Sequence, residues 1–84
     1  MNNLKDTKGL MVSPNYKERF KAEYWQLKIR FESLKRMCNT WDNGKLDFTP
    51  TCKREIYDRQ LTYMKGYLDV LEERARIEGV NLDE

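Results

Sequence analysis

Residues 20–41, FKAEYWQLKIRFESLKRMCNTW, place apolar side chains at Phe20, Tyr24, Leu27, Phe31, Leu34, Cys38 and Trp41. The spacing alternates between four and three, the repeat of a single helix face. Residues 57–75, YDRQLTYMKGYLDVLEERA, carry the same alternation at Tyr57, Leu61, Met64, Leu68, Leu71 and Ala75. Two amphipathic segments of similar length, separated by a short polar connection, predict an all-α fold: an antiparallel two-helix hairpin.

The expected boundaries follow from local chemistry. Ser13-Pro14 reads as the first helix start, with the serine oxygen capping free amides and the proline supplying a preset φ. Thr49-Pro50 repeats the device before the second helix, and Glu55 in its first turns complements the helix dipole. Asp42-Asn43-Gly44 is a turn that ends the first helix near Thr40 or Trp41. The helices are thus expected over about 14–40 and 50–78, within a hairpin domain spanning 13–80. Leu46 and Phe48 in the connection are expected to plug the open end of the hairpin. Gly79 is placed to stop the second helix in a left-handed conformation, with Val80 folding back. Residues 1–12 read as a flexible polar segment and 81–84 as a frayed tail.

Both helices carry more apolar surface than one hairpin contact covers. Ala22, Trp25 and Ile29 lie opposite the main stripe of the first helix, and Ile56, Tyr63, Tyr67, Val70 and Ile77 form an extra row on the second, where Arg74 also sits. With 84 residues and no evident disulfide or metal staple, assembly into a helical homo-oligomer is the expected source of further stability. Trp25, Ile29, Tyr63 and Tyr67 are the candidate interface residues. Either the interface has no other role, or aromatic and cationic groups meeting there form a pocket with rings for stacking and cations for phosphates.

The net charge of +2, from 16 basic and 14 acidic residues, is too small for a protein that coats duplex nucleic acid. Its distribution is uneven. Residues 13–38 hold seven basic side chains against three acidic ones, a local +4, so an anion-binding surface is expected on the first helix. Histidine is absent, and no glycine-rich phosphate loop, nucleophile elbow, paired-carboxylate site or metal motif is present in the sequence. Cys38 and Cys52 are the only cysteines; Cys38 belongs to the core stripe and Cys52 is expected at the start of the second helix. The chain is therefore expected to be a binding protein rather than an enzyme, with no catalytic residue, cofactor or bound metal. No apolar stretch is long enough to span a membrane and none reads as a signal-peptide core, so a soluble intracellular protein is expected.

From Tyr16 the string YKERFKAEYWQLKIRFESLKRM, followed by QLTYMKGYLDVLEERARIEG, resembles the small crAss-like-phage-related helical proteins that include the anti-CBASS cyclic-oligonucleotide sponges. The shared features are Glu23, Leu27, a basic group near Lys28 to Arg30, and Leu34 on the first helix. On the second they are Gln60-Leu61, Met64, Tyr67-Leu68, Leu71 and Arg74. The connection Asn39 to Cys52 is longer than in the family. The resemblance implies a compact oligomer, hexameric in the family, located in the cytoplasm of the infected bacterial host. It implies sequestration, without cleavage, of second messengers such as cyclic GMP-AMP and cyclic tri-AMP. It further implies that Tyr16 stacks on a base, that Arg30 or Lys28 holds phosphate, and that Arg74 serves a separate trinucleotide site. The competing expectation is a protein-interaction module or inhibitor acting through Trp25 and Ile29, and a weaker one is nucleic-acid binding by the basic first helix.

The surplus apolar surface generates a direct test. Light scattering should return a mass several times the 10.2 kDa of one chain, whereas a monodisperse and stably folded 10.2 kDa species would refute assembly.

Overall fold

The structure, a computed structural model, describes residues 15–83. Two helices account for most of them: α1, Tyr16–Asp42, and α2, Arg54–Glu78. They pack side by side and antiparallel, and the described residues include no strand. The expected hairpin is therefore the observed fold. No helix among the described residues is long and apolar enough to cross a membrane.

The seam between the helices follows the two stripes. Phe20 and Tyr24 from α1 meet Leu68, Leu71 and Ala75 from α2, and Val80 closes the cluster; Leu71 is completely buried. Trp25, Leu27, Phe31 and Leu82 are partly buried against it. Cys38, on the same α1 stripe, is buried, and its thiol pKa is pushed up by that burial.

Three boundaries differ from expectation. The α1 cap is Asn15, two residues beyond Ser13, which itself lies outside the described residues. Asn15 is extended, and its side-chain oxygen accepts from the amides of Lys17 at 2.9 Å and Glu18 at 3.4 Å, as a capping residue does. The start of α2 is Arg54 rather than Pro50, and Lys53 before it makes no side-chain cap bond. An ionic fork tethers this start instead. Arg54 donates from Nε to Asp42 Oδ1 at 3.0 Å, from Nη2 to Asp42 Oδ2 at 3.1 Å and from Nη1 to Asp58 at 2.6 Å. This bidentate pairing joins the last residue of α1 to the first of α2 and holds the Asp42 carboxyl below its ordinary pKa. Cys52 consequently lies ahead of α2, exposed, and both thiols are free.

The α1 end extends to Asp42, and the Asn43-Gly44 turn forms where expected. Gly44 is left-handed at φ +70°, its amide bonds Trp41 O at 2.9 Å, and the Lys45 amide reaches Thr40 O at 3.0 Å. These are the two bonds of a Schellman ending. At this end Trp41 packs edge-on against Tyr57 with centroids 5.9 Å apart. Leu46 and Pro50 are half-buried beside that pair, but Phe48 is 55% exposed and covers the end only in part.

At the other end Gly79, at φ +70° and ψ +32°, stops α2 as anticipated, and the Val80 amide turns back to Ala75 O at 2.8 Å. The third difference lies beyond it. Residues 81–83 return to the hairpin rather than trailing away: Leu82 packs on the core, and its carbonyl accepts the Trp25 indole N–H at 2.8 Å. Val80 and Leu82 are both apolar, and the glycine reversal returns them to the seam.

Paired glycine substitutions test this ending. An added Cβ meets nothing within 4 Å at either Gly66 or Gly79, so only backbone conformation differs between the sites. Gly79→Ala should lower the unfolding free energy in urea by about 1–2 kcal/mol because it forces an L-residue into the left-handed region. Gly66→Ala, inside α2, should raise it by about 0.5–1 kcal/mol. A stabilising Gly79→Ala would contradict the left-handed ending.

Candidate functional site

The antiparallel register brings the first turn of α1 against the last turns of α2, and there the side chains of Tyr16, Phe20, Arg74 and Glu78 meet. The Tyr16 hydroxyl donates to Glu78 Oε1 at 2.7 Å and accepts from Arg74 Nη2 at 2.8 Å. Arg74 Nε donates to Glu78 Oε2 at 3.1 Å. The guanidinium lies 4.7 Å from the Phe20 ring centroid, and Tyr16 meets Phe20 edge-on at 6.2 Å. Phe20 is buried in the seam, so the core sets the position of the cation above it.

The electrostatics follow from these bonds. The Tyr16 hydrogen bond, reinforced by Arg74, holds the Glu78 carboxyl below its ordinary pKa. The same bond raises the Tyr16 phenol, because ionising it would place two anions side by side; Arg74 opposes that rise only in part. Arg74 is raised by its bond to Glu78.

Further along the same flank of the hairpin, the Tyr67 hydroxyl donates to Glu23. Beyond it, Arg30 lines a groove of about 510 Å³ together with Ile29, Met37, Gln60 and Met64. Gln60 and Met64 also border a second, mainly apolar groove of about 420 Å³ with Ile56, Tyr63 and Tyr67. Tyr16, Arg30, Arg74, Tyr63 and Tyr67 therefore share one flank.

Lys28 does not join them. Two residues from Arg30 on a helix, it points about 200° away. Its ammonium lies 5.6 Å from the Tyr24 ring centroid and 5.3 Å from that of Trp25, and it bonds the Tyr24 hydroxyl at 3.4 Å. The Tyr24 hydroxyl in turn donates to Glu72 at 3.3 Å. Glu72, with Asp69, Glu73 and Arg76, borders a groove of about 740 Å³ beneath the returned tail. Three carboxylates against one guanidinium make that groove inhospitable to a phosphate.

The surplus apolar surface is also redistributed. Ala22 is buried, and Trp25 and Ile29 are half-buried, with the Trp25 indole engaged by Leu82. On α2 the extra row remains open: Tyr63 is 70% exposed, Val70 53% and Ile77 77%. Glu78 was not anticipated as a participant. Its spacing of four from Arg74 is an ion-pair signal in the sequence, but its contact with Tyr16 depends on the register between helices.

The sequence model of the family described as Sequestin matches residues 14–77, which include all of α1 and all but the last residue of α2. No curated protein matches the chain, and no solved structure does.

The Tyr16–Glu78 bond is testable by titration. Glu78 is depressed in the folded chain, so its contribution to stability is full above the ordinary carboxylate pKa and is lost as pH falls through the folded value. Tyr16→Phe removes a donor to the carboxylate. NMR should show the Glu78 pKa rising toward its ordinary value, with lower stability at neutral pH and a smaller loss of stability on acidification. An unchanged Glu78 pKa would contradict the bond.

Proposed function

The chain belongs to the Sequestin family, and from that footing we propose that it captures cyclic oligonucleotide second messengers of CBASS-type bacterial immunity and holds them without cleavage, as a phage anti-defence protein. The family's name is that of a sequestering protein, and the observation that carries the finer reading is the placement of a half-exposed Tyr16 ring beside the Arg74 guanidinium. A ring that can stack on a base and a cation that can meet a phosphate are the two elements such a ligand requires. Sequestration needs no bond-breaking group. It needs only affinity and enough protein to deplete the free messenger.

Geometry supports a site shared between copies. Tyr16 and Arg30 lie on one flank but fourteen residues apart, about 21 Å along the axis of α1. That separation exceeds what one base and its neighbouring phosphate span, so the two roles on a single ligand come from different chains. Arg30, rather than Lys28, is the phosphate-holding cation, because Lys28 is engaged with Tyr24 and Trp25 on the acidic side. The open row Tyr63, Tyr67, Val70 and Ile77 supplies the contact between copies, with a hexamer as the proposed assembly and the cytoplasm of the infected host as its place of action. Two-fold symmetry would present paired cations to the two phosphates of a cyclic dinucleotide.

The same row supports a second reading, a protein-interaction module that docks through Tyr63, Val70 and Ile77 without binding any nucleotide. Calorimetry separates the two. Cyclic GMP-AMP and cyclic tri-AMP should bind at micromolar concentration or tighter. Tyr16→Ala and Arg30→Ala should each weaken the dinucleotide on the order of tenfold, and Arg74→Ala and Tyr16→Ala the trinucleotide by a similar factor, because Tyr16 and Arg74 meet. Absence of heat with every cyclic di- and trinucleotide would refute sequestration and favour the interaction module. A steep loss of duplex DNA binding with salt would instead indicate a general phosphate surface.

A further inference from the structure

We propose that the Tyr16–Arg74 pair is an anion seat already occupied by the chain's own Glu78 carboxylate, which an incoming phosphate must displace. Glu78 is thereby an affinity-limiting and selectivity-setting residue. The inference rests on the sequestration reading for the identity of the ligand, while the chemistry of the seat needs only a phosphate.

The carboxylate uses both oxygens: Oε1 takes the Tyr16 hydroxyl at 2.7 Å and Oε2 takes Arg74 Nε at 3.1 Å. Arg74 Nη2 is committed as well, at 2.8 Å from the Tyr16 oxygen. The Nε and Nη2 edge is one of the two with which arginine grips a phosphate through parallel N–H bonds. Here that edge is filled from within the chain. Phe20 lies under the guanidinium at 4.7 Å, and this ring contact supports the plane of that edge.

Charge makes the competition selective. With Glu78 in place the seat is neutral overall, and a weakly charged or poorly matched anion gains little by displacing a carboxylate. A phosphodiester whose base also stacks on Tyr16 brings a second source of binding, and it can replace the charge-assisted bonds that Glu78 gives up. Glu78 sits on the last turn of α2 with its side chain about one-third exposed, so it can swing into solvent without disturbing the buried seam. Its release also frees the Tyr16 hydroxyl, which then donates to the ligand.

Glu78→Gln keeps the shape and removes the competing charge. NMR of the Arg74 Nε–H during titration with inorganic pyrophosphate should give a midpoint on the order of tenfold lower in Glu78→Gln than in the unsubstituted protein. Calorimetry should show a similar gain for cyclic tri-AMP. Glu73→Gln, which alters net charge equally on the acidic groove, should shift neither by more than about twofold. Adding Arg74→Ala to Glu78→Gln should abolish the gain seen by calorimetry. Equal midpoints in Glu78→Gln and the unsubstituted protein, or an equal gain from Glu73→Gln, would overturn the proposal. Loss of cyclic-nucleotide binding in every variant, with the pyrophosphate difference intact, would refute the sequestration reading and support the self-occupied seat.

Discussion

The narrow seam between α1 and α2 governs the rest of the molecule. Phe20 and Tyr24 face Leu68, Leu71 and Ala75 across it, and this contact removes one stripe of each helix from water. The described residues are two helices thick, with extents of 43 × 24 × 19 Å, and a pair of helices that size buries little beyond its one seam. Both helix-ending reversals serve the seam: Gly44 sends the chain back toward α2, and Gly79 returns Val80 and Leu82 to its far end. The Arg54 fork to Asp42 holds the connected end together where no side-chain cap does.

The seam also sorts the polar chemistry into two flanks. On one, Tyr16, Arg74, Arg30 and the exposed tyrosines stand beside apolar grooves. On the other, Lys28 is folded onto Tyr24 and Trp25 beside a groove rich in carboxylates. An anion approaching the hairpin therefore meets unlike surfaces on its two sides. The flank that could receive a phosphate is the one whose apolar row is exposed, so the proposed capture and the proposed assembly fall on the same side of the hairpin. The buried Phe20 ring links them physically, since it belongs to the core and also supports the Arg74 guanidinium.

Most of the fold was legible because helix periodicity survives in a single sequence. The stripes Phe20 to Trp41 and Tyr57 to Ala75 identify both helices, and Gly79 with Val80 identifies the end of the second. What was hidden depends on contacts between distant residues. Asn15 caps α1 through a local bond that Ser13 could equally have suggested, but the choice rests on where the extended backbone ends. Pro50 resembles a helix start, yet Arg54 defines it by reaching across to Asp42. Lys28 and Arg30 are both basic and two residues apart, and which of them shares a flank with Tyr16 becomes plain only when α1 is packed on α2. Tyr16 and Arg74, anticipated at separate sites, converge because the helices are antiparallel and in this register. Trp25 looks like surplus until the returned tail supplies the Leu82 carbonyl.

On the proposed function, a ligand is captured where copies of the hairpin meet. Within one chain Tyr16 and Arg30 lie too far apart to act together on one ligand, so the proposal draws them from different copies. Native mass spectrometry with cyclic GMP-AMP tests this most directly, because it reads mass and ligand count on the same particle. Whole-number ligand occupancy on oligomers, with bare monomers in the same spectrum, is the expected result. Ligand carried by single chains at the occupancy of the assembled ones would contradict it.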